Sequence, residues 1–232
     1  MTLIGSDSKI LIISAHPDDE VLGCGGLIAK YSKSVPIKVL LIGEGSTARF
    51  TNPQSSEAVN AIKERENYFK QSCQILGLNE YEVHRMNCGK FSTEPILNIN
   101  KLIDDCINIF TPSHVFSHYA FDNNNDHRIV SRSTDMATRP KVGSPVKFVL
   151  QYEVQSSTDW NFTGPEFQPN VFIPLSENEL ELKLKAMRAY STEWSKSEIS
   201  RSPKSLKIQA SFRGLQSGFQ YAEAYKLIRL IN

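Results

Sequence analysis

The stretch His16-Pro17-Asp18-Asp19-Glu20 places one imidazole and three carboxylates within five consecutive residues. It follows an apolar run, Ile10-Leu11-Ile12-Ile13-Ser14-Ala15, that reads as a buried strand. Packing does not explain such a cluster at a strand end, because an unpaired buried carboxylate is costly. Metal binding or proton sharing does. His16 and Asp19 are three residues apart, so a tight turn into a helix starting near Asp18 brings both to one metal ion. Pro17 favours that turn by fixing its own φ and holding His16 extended. Asp18 then points to the other side of the turn, free to act on a metal-bound water. Glu20, in the first helical turn, orients a ligand or faces the helix dipole.

Two ligands do not complete a catalytic zinc site, which normally takes three from the protein and keeps one position open. The other histidines are His84, His114, His118 and His127. His127 lies in Phe121-Asp122-Asn123-Asn124-Asn125-Asp126-His127-Arg128, a polar stretch after a strand-like run, with the profile of a site loop. It is the expected third ligand. His118, which ends the preceding strand, is the next candidate; His84 and His114 read as structural. The plainer alternatives are an N-cap and helix-dipole role for His16 with Asp19, a solvated loop for His127 and a hydrogen-bonded strand end for His118. Gly23-Cys24-Gly25-Gly26 lacks both a Walker lysine and dinucleotide spacing, so close helix–strand packing explains it better than phosphate binding.

Strand-like and helix-like runs alternate along the chain, which predicts an α/β fold with a mostly parallel sheet. Strands are expected at 9–14, 37–42, 81–85, 114–118, 146–152 and 171–174. Helices are expected after the first strand (Val21, Cys24, Leu27, Ile28 and Tyr31 on one face), at 57–76 with Gly77 closing it, and at 95–110 with Thr93 as cap. Further helices should start near Asp126 and at Ser176, where Ser176-Glu177-Asn178-Glu179 is a capping box. A last helix is expected from Gln220 to Leu230. Loops are expected at 43–56, 119–125 and 155–170; the first and third follow strands and should crowd the carboxyl edge of the sheet, where open α/β sheets bind ligands. A metal site is expected at that edge.

The chain has 232 residues, 40% hydrophobic and 22% charged, which fits one globular domain over 1–232 and argues against disorder. A net charge of +1 gives no electrostatic footprint for nucleic acid or an anionic membrane. Apolar runs such as Val39-Leu40-Leu41-Ile42 are too short to span a bilayer, and the N-terminal residues lack a signal-peptide pattern. Cys24, Cys73, Cys88 and Cys106 form no Cys-x-x-Cys pair, so a reducing cytoplasm is the expected location. Oligomeric state leaves no signature.

Ala15-His16-Pro17-Asp18-Asp19-Glu20, followed by Val21-Leu22-Gly23 and Gly25-Gly26, resembles the opening motif of the LmbE/PIG-L family of metal-dependent N-deacetylases. Asp126-His127 matches the family's second motif, an Asp-His pair after a later strand. The resemblance extends to Gly43-Glu44-Gly45-Ser46-Thr47 with Arg49, to Arg65 and Leu76-Gly77, and to Pro169-Asn170-Val171-Phe172, Lys185, Tyr190, Arg213-Gly214 and Ala222-Glu223-Ala224-Tyr225. It implies a Rossmann-like fold and hydrolysis of an N-acetyl group on a glucosamine-type sugar conjugate. By position, His16, Asp19 and His127 match the zinc ligands, with another divalent ion such as ferrous iron as the other option. Asp18 matches the general base acting on zinc-bound water, and Asp126 a supporting residue beside the third ligand. Arg49 and Arg65 are candidate contacts for a substrate phosphate or carboxylate, as are Arg128 and Arg213.

Two positions depart from the family pattern. Many members have a second histidine three residues before the last ligand, where this chain has Asn124. An amide donates a hydrogen bond to substrate but delivers no proton near neutral pH. Either His118 takes over as catalytic acid or Asp18 makes both proton transfers. Three residues after Arg65, where the family often has a glutamate, stands Tyr68. Two other readings compete: a sugar-binding homologue without catalysis, for which Asn124 speaks, and an iron(II) oxygenase using His16-Pro17-Asp18 and His127 as a facial triad. The alternating strand and helix pattern weighs against the oxygenase.

Overall fold

The first apolar run becomes β1, Ile10–Ser14, with every residue buried. In the computed structural model, which describes residues 3–194 and 199–231, β1 lies inside a seven-stranded sheet. The others are β2 (Ile37–Gly43), β3 (Glu80–Met86), β4 (His114–His118), β5 (Phe148–Tyr152), β6 (Val171–Leu175) and β7 (Tyr221–Leu230). Their order is β3-β2-β1-β4-β5-β7-β6. β1 pairs in parallel with β2 and β4, β2 with β3, and β4 with β5, whereas β7 runs antiparallel to both β5 and β6. β1 and β2 are nearly continuous apolar runs because helices cover both faces of the sheet.

Those helices are α1 (Asp19–Tyr31), α2 (Ser56–Leu76), α3 (Ile96–Phe110), α4 (Asn125–Ala137), α5 (Glu177–Ala189) and α6 (Pro203–Ser217). One core joins Ile12 and Val39 of the sheet to Leu27, Phe69, Met187 and Leu206, from α1, α2, α5 and α6. The other joins Ile13 and Leu40 to Ile99, Ile103 and Val130, from α3 and α4. The result is the expected Rossmann-like α/β architecture. Strand order reverses between β1 and β4, and a sheet of this kind opens a crevice beyond the carboxyl ends of that pair. Residues 15–20 and 119–127 leave the sheet there.

Two features brace α1 from below. Gly23 lies so close to Tyr152 that a Cβ would meet the ring at 2.2 Å. Glu223 of β7 accepts hydrogen bonds from the Gly26 and Leu27 amides, both at 2.7 Å, while Lys183 of α5 donates to the Leu22 carbonyl at 2.9 Å and pairs with Glu223 at 2.6 Å. All of this is buried, so each charge has its counter-charge and its remaining hydrogen bonds.

Three local expectations need correction. The helix expected from Gln220 to Leu230 is instead β7, Tyr221–Leu230. Tyr221 to Tyr225 are buried because β7 is sandwiched between β5 and β6, and that pairing outweighs helix propensity. Helix α6 was not expected. Its exposed Ile208, Phe212 and Leu215 blur the apolar face, but its ends are well marked: Ser202 caps it reciprocally with Ser205, Pro203 opens it, and Gly218 closes it at φ +79°. Thr93 does not cap α3. It ends a short 3₁₀ turn, its Oγ1 donating to the Lys90 carbonyl, and Pro95 takes the cap position. The Ser176–Glu179 capping box and the left-handed Gly77 at the end of α2 are as expected. Among the described residues, no helix is long and apolar enough to cross a membrane.

Candidate metal centre

The turn between β1 and α1 is built by Asp18, which takes φ 111° and ψ −26° at the N-cap of α1. A non-glycine residue there is strained, at a cost on the order of 1–3 kcal/mol. Three contacts hold it: its amide donates to Glu20 Oε2 at 3.1 Å, and its carbonyl accepts from the Val21 and Leu22 amides at 3.0 and 2.9 Å. Asp19 closes the turn, with Oδ2 accepting from the His16 amide at 2.8 Å. His127 arrives from the first turn of α4, positioned by β4. Asn124 is the N-cap of that helix, its Oδ1 accepting from the Asp126 amide at 2.9 Å. The amide thus serves the helix terminus.

Donor atoms of His16, Asp19 and His127 all lie within 4.8 Å of one another, and all three residues are buried. Asp19 Oδ2 is 3.6 Å from His16 Nδ1 and 3.3 Å from His127 Nε2. Two nitrogens and one carboxylate oxygen are donor types that a divalent transition metal takes from three protein ligands. Carboxylates back both imidazoles, as metal-binding histidines require. Asp126 Oδ2 lies 3.0 Å from His16 Nε2 and accepts from the Gly89 amide at 2.6 Å. Asp122 Oδ1 lies 3.2 Å from His127 Nδ1, an ion-pair contact rather than a linear hydrogen bond. Asp122 is held in turn by the hydroxyls of Ser157 and Thr158. The residue next to His127 in sequence therefore supports His16, and Asp122 supports His127. A second convergence, His16 with Cys88 and Asp126, shares the same imidazole.

Burial pushes His127 down, but Asp19 and Asp122 outweigh it and carry it up to about 9. Burial likewise opposes the proton on His16, and hydrogen bonds to Asp126 and Asp19 overcome it, raising that group well above its ordinary value. Asp19 is held well below the usual carboxylate range, its burial outweighed chiefly by the His127 charge.

His118 is drawn to the same place but lies behind it. It has no exposure, stacks on His127 with ring centroids 4.0 Å apart, and its Nε2 accepts from the Ala15 amide at 2.9 Å with the Tyr152 hydroxyl at 3.1 Å. Burial pushes it down to about 3, so the ring is neutral at physiological pH. An imidazole whose Nε2 accepts a backbone hydrogen bond has no proton on that nitrogen to give.

Asp18 is buried beside the centre, and its Oδ2 is 3.0 Å from Arg201 Nη1 and 3.6 Å from Arg65 Nη2. Burial pushes its carboxyl up against the pull of those two guanidinium groups. Arg65 is itself buried and donates to the Pro17 carbonyl at 2.6 Å. Glu20 lies beneath the turn with the Tyr190 hydroxyl and Ser72. Arg49 is half exposed and pairs with Glu193 at 2.7 Å. Glu193 also pairs with Arg65 and, at 3.1 Å, with Arg201. It thereby supplies the carboxylate partner for Arg65 where Tyr68 offers none. Arg128 bonds the Asp122 carbonyl, and Arg213 pairs with Glu153 at 2.7 Å, outside this cluster. Glu193, Arg201 and Asp122 were not among the expected site residues.

The family model described as PIG-L, GlcNAc-PI de-N-acetylase, matches residues 11–138. The diacetylchitobiose deacetylase of Thermococcus kodakarensis is 25% identical over 229 residues, covering 95% of this chain and 83% of that protein. The probable N-acetyl-alpha-D-glucosaminyl L-malate deacetylase 2 of Bacillus anthracis is 24% identical over 196 residues, covering 82% of this chain and 83% of that one. Among solved structures, N,N'-diacetylchitobiose deacetylase from Pyrococcus horikoshii superposes with a TM-score of 0.75 at 22% identity, over 96% of this chain and 85% of that chain. At that identity the superposition speaks for the fold.

Proposed function

The chain belongs to the PIG-L family, and from that premise we propose that it is a zinc-dependent N-deacetylase acting on a glucosamine-type sugar conjugate. The observation that carries this reading is the buried convergence of His16, Asp19 and His127 with Asp18 alongside. The relatives' names support the substrate class, since they specify diacetylchitobiose and an N-acetylglucosaminyl malate. His16, Asp19 and His127 would hold the metal, which would supply a Lewis acid able to polarise the acyl carbonyl and acidify water.

Asp18 is the general base. The guanidinium contacts fall on its Oδ2, which leaves Oδ1 for proton transfer. Burial strengthens it as a base by disfavouring its charge. It takes a proton from the attacking water, then returns it to the leaving amine, so acetate and a primary amine are the products. Asn124 has no proton to supply and is engaged as a cap. His118 is neutral and turned to the backbone, so it serves as a packing partner that orients His127. Asp126 and Asp122 fix the two imidazoles. The four free cysteines support a reducing, cytoplasmic location.

Incubating zinc-loaded protein with N-acetylglucosamine conjugates, and detecting acetate and primary amine, tests the reading. Asp18→Asn, which tolerates the left-handed turn, should keep the metal and lose on the order of 10²–10⁴ in kcat. His127→Ala should lose the metal. Full activity in Asp18→Asn would remove the base assignment, and no product across a broad panel would favour a sugar-binding protein without catalysis.

A further inference from the structure

The three arginines beside the centre look at first like a pocket for an anion, yet they converge on a carboxylate of the chain itself. Glu193 pairs with Arg49 at 2.7 Å, with Arg201 at 3.1 Å and with Arg65. Its side chain is only 6% exposed, while that of Arg49 is 51% exposed, so the cluster reaches solvent through Arg49. Arg201 links it to the reacting side by contacting Asp18 Oδ2 at 3.0 Å. Arg201 is also rigidly built in: it takes φ 64°, its amide donates to Gln155 Oε1 at 2.9 Å, and its Nε donates to Ser156 Oγ at 2.8 Å, with Ser156 itself at φ 62°. Two strained residues hold one guanidinium between the base and Glu193.

We propose that Glu193 fills the anion subsite that Arg49, Arg65 and Arg201 would otherwise form, and so selects uncharged sugar substituents over phosphate- or carboxylate-bearing ones. A phosphate or carboxylate entering beside Arg49 meets Glu193 at like charge and must displace it from buried guanidinium partners, and both are costly. A sugar hydroxyl meets no such penalty, because it accepts from Arg49 and donates to Glu193 at once. Of the two kinds of conjugate named for the relatives, this places the chain with the neutral chitobiose type. The inference rests on the deacetylase reading for its substrate and on the charge cluster for its direction.

Two measurements decide it. The first is kcat/KM of the zinc-loaded protein for N,N'-diacetylchitobiose and for N-acetylglucosamine 1-phosphate. The neutral sugar should be favoured by about tenfold or more; equal or better use of the phosphate overturns the proposal. The second is calorimetric binding of N-acetylglucosamine 1-phosphate to metal-free protein, where no metal competes for the phosphate. Glu193→Gln keeps the shape, removes the charge and should tighten this binding by about tenfold. Unchanged affinity in a variant with native circular dichroism overturns the proposal. If neither sugar is hydrolysed, the broad panel judges the deacetylase reading and the binding comparison still judges Glu193. If the variant does not fold, the wild-type preference judges it.

Discussion

Zinc binding at the centre is expected to expel about two protons at neutral pH. His127 is held up to about 9 by Asp19 and Asp122, so at pH 7 only about one molecule in a hundred has it neutral. His16 is raised well above its ordinary value by Asp126 and Asp19. Both rings must shed a proton before their nitrogens bind a cation, whereas Asp19 is already ionised and releases none. Protons therefore compete with zinc, and apparent affinity should rise with pH, by up to about hundredfold per unit while both rings remain protonated. Calorimetric titration at pH 7 in buffers of differing ionisation enthalpy counts the protons directly. Asp126→Asn removes the carboxylate 3.0 Å from His16 Nε2, and the count should fall towards one. A count near zero in the wild type, or an unchanged count in Asp126→Asn, would refute the argument that the second carboxylates hold protons on the ligands.

Further outcomes concern the supports around the site. Gly23→Ala drives a methyl to 2.2 Å from a Tyr152 ring that is pinned through its hydroxyl to the Ile13 carbonyl. Urea unfolding should show a loss of about 1–3 kcal/mol, and an unshifted midpoint would mean that Tyr152 moves freely. Burial pushes Glu20 from 4.5 up to about 8. The folded protein then keeps a proton that the unfolded chain loses, so this carboxyl's contribution to stability is full below 4.5 and declines as pH rises towards 8. Metal-free wild type should lose stability across that window more steeply than Glu20→Gln, and parallel profiles would show that Glu20 is ionised in the fold.

The convergence of His16, Asp19 and His127 was legible because these residues sit in short local patterns at strand ends. Their supports were legible only in part. Asp126 stands beside His127, but successive helical residues point about 100° apart, so Asp126 turns to His16 and leaves His127 to Asp122. Glu193 and Arg201 carry no local pattern. Each is a single charge far along the chain, and only the packing of α5 on α1 and α2, with Arg201 anchored on Gln155 and Ser156, brings them to the side of Asp18. The misread element, β7, has a composition that suits a helix as well as a strand, and its place between two strands decided the matter.

The Lys183–Glu223 pair has a consequence for the order in which the protein is made. Helix α1 carries Asp19 at its start, yet the amides of Gly26 and Leu27 find their buried carboxylate on β7. That carboxylate emerges from the ribosome about two hundred residues after the helix it serves, beyond residues 11–138 that define the family match. During synthesis the motif-bearing half is thus complete in sequence but lacks its brace. The centre should acquire its final rigidity late, once the last strand has slotted between β5 and β6.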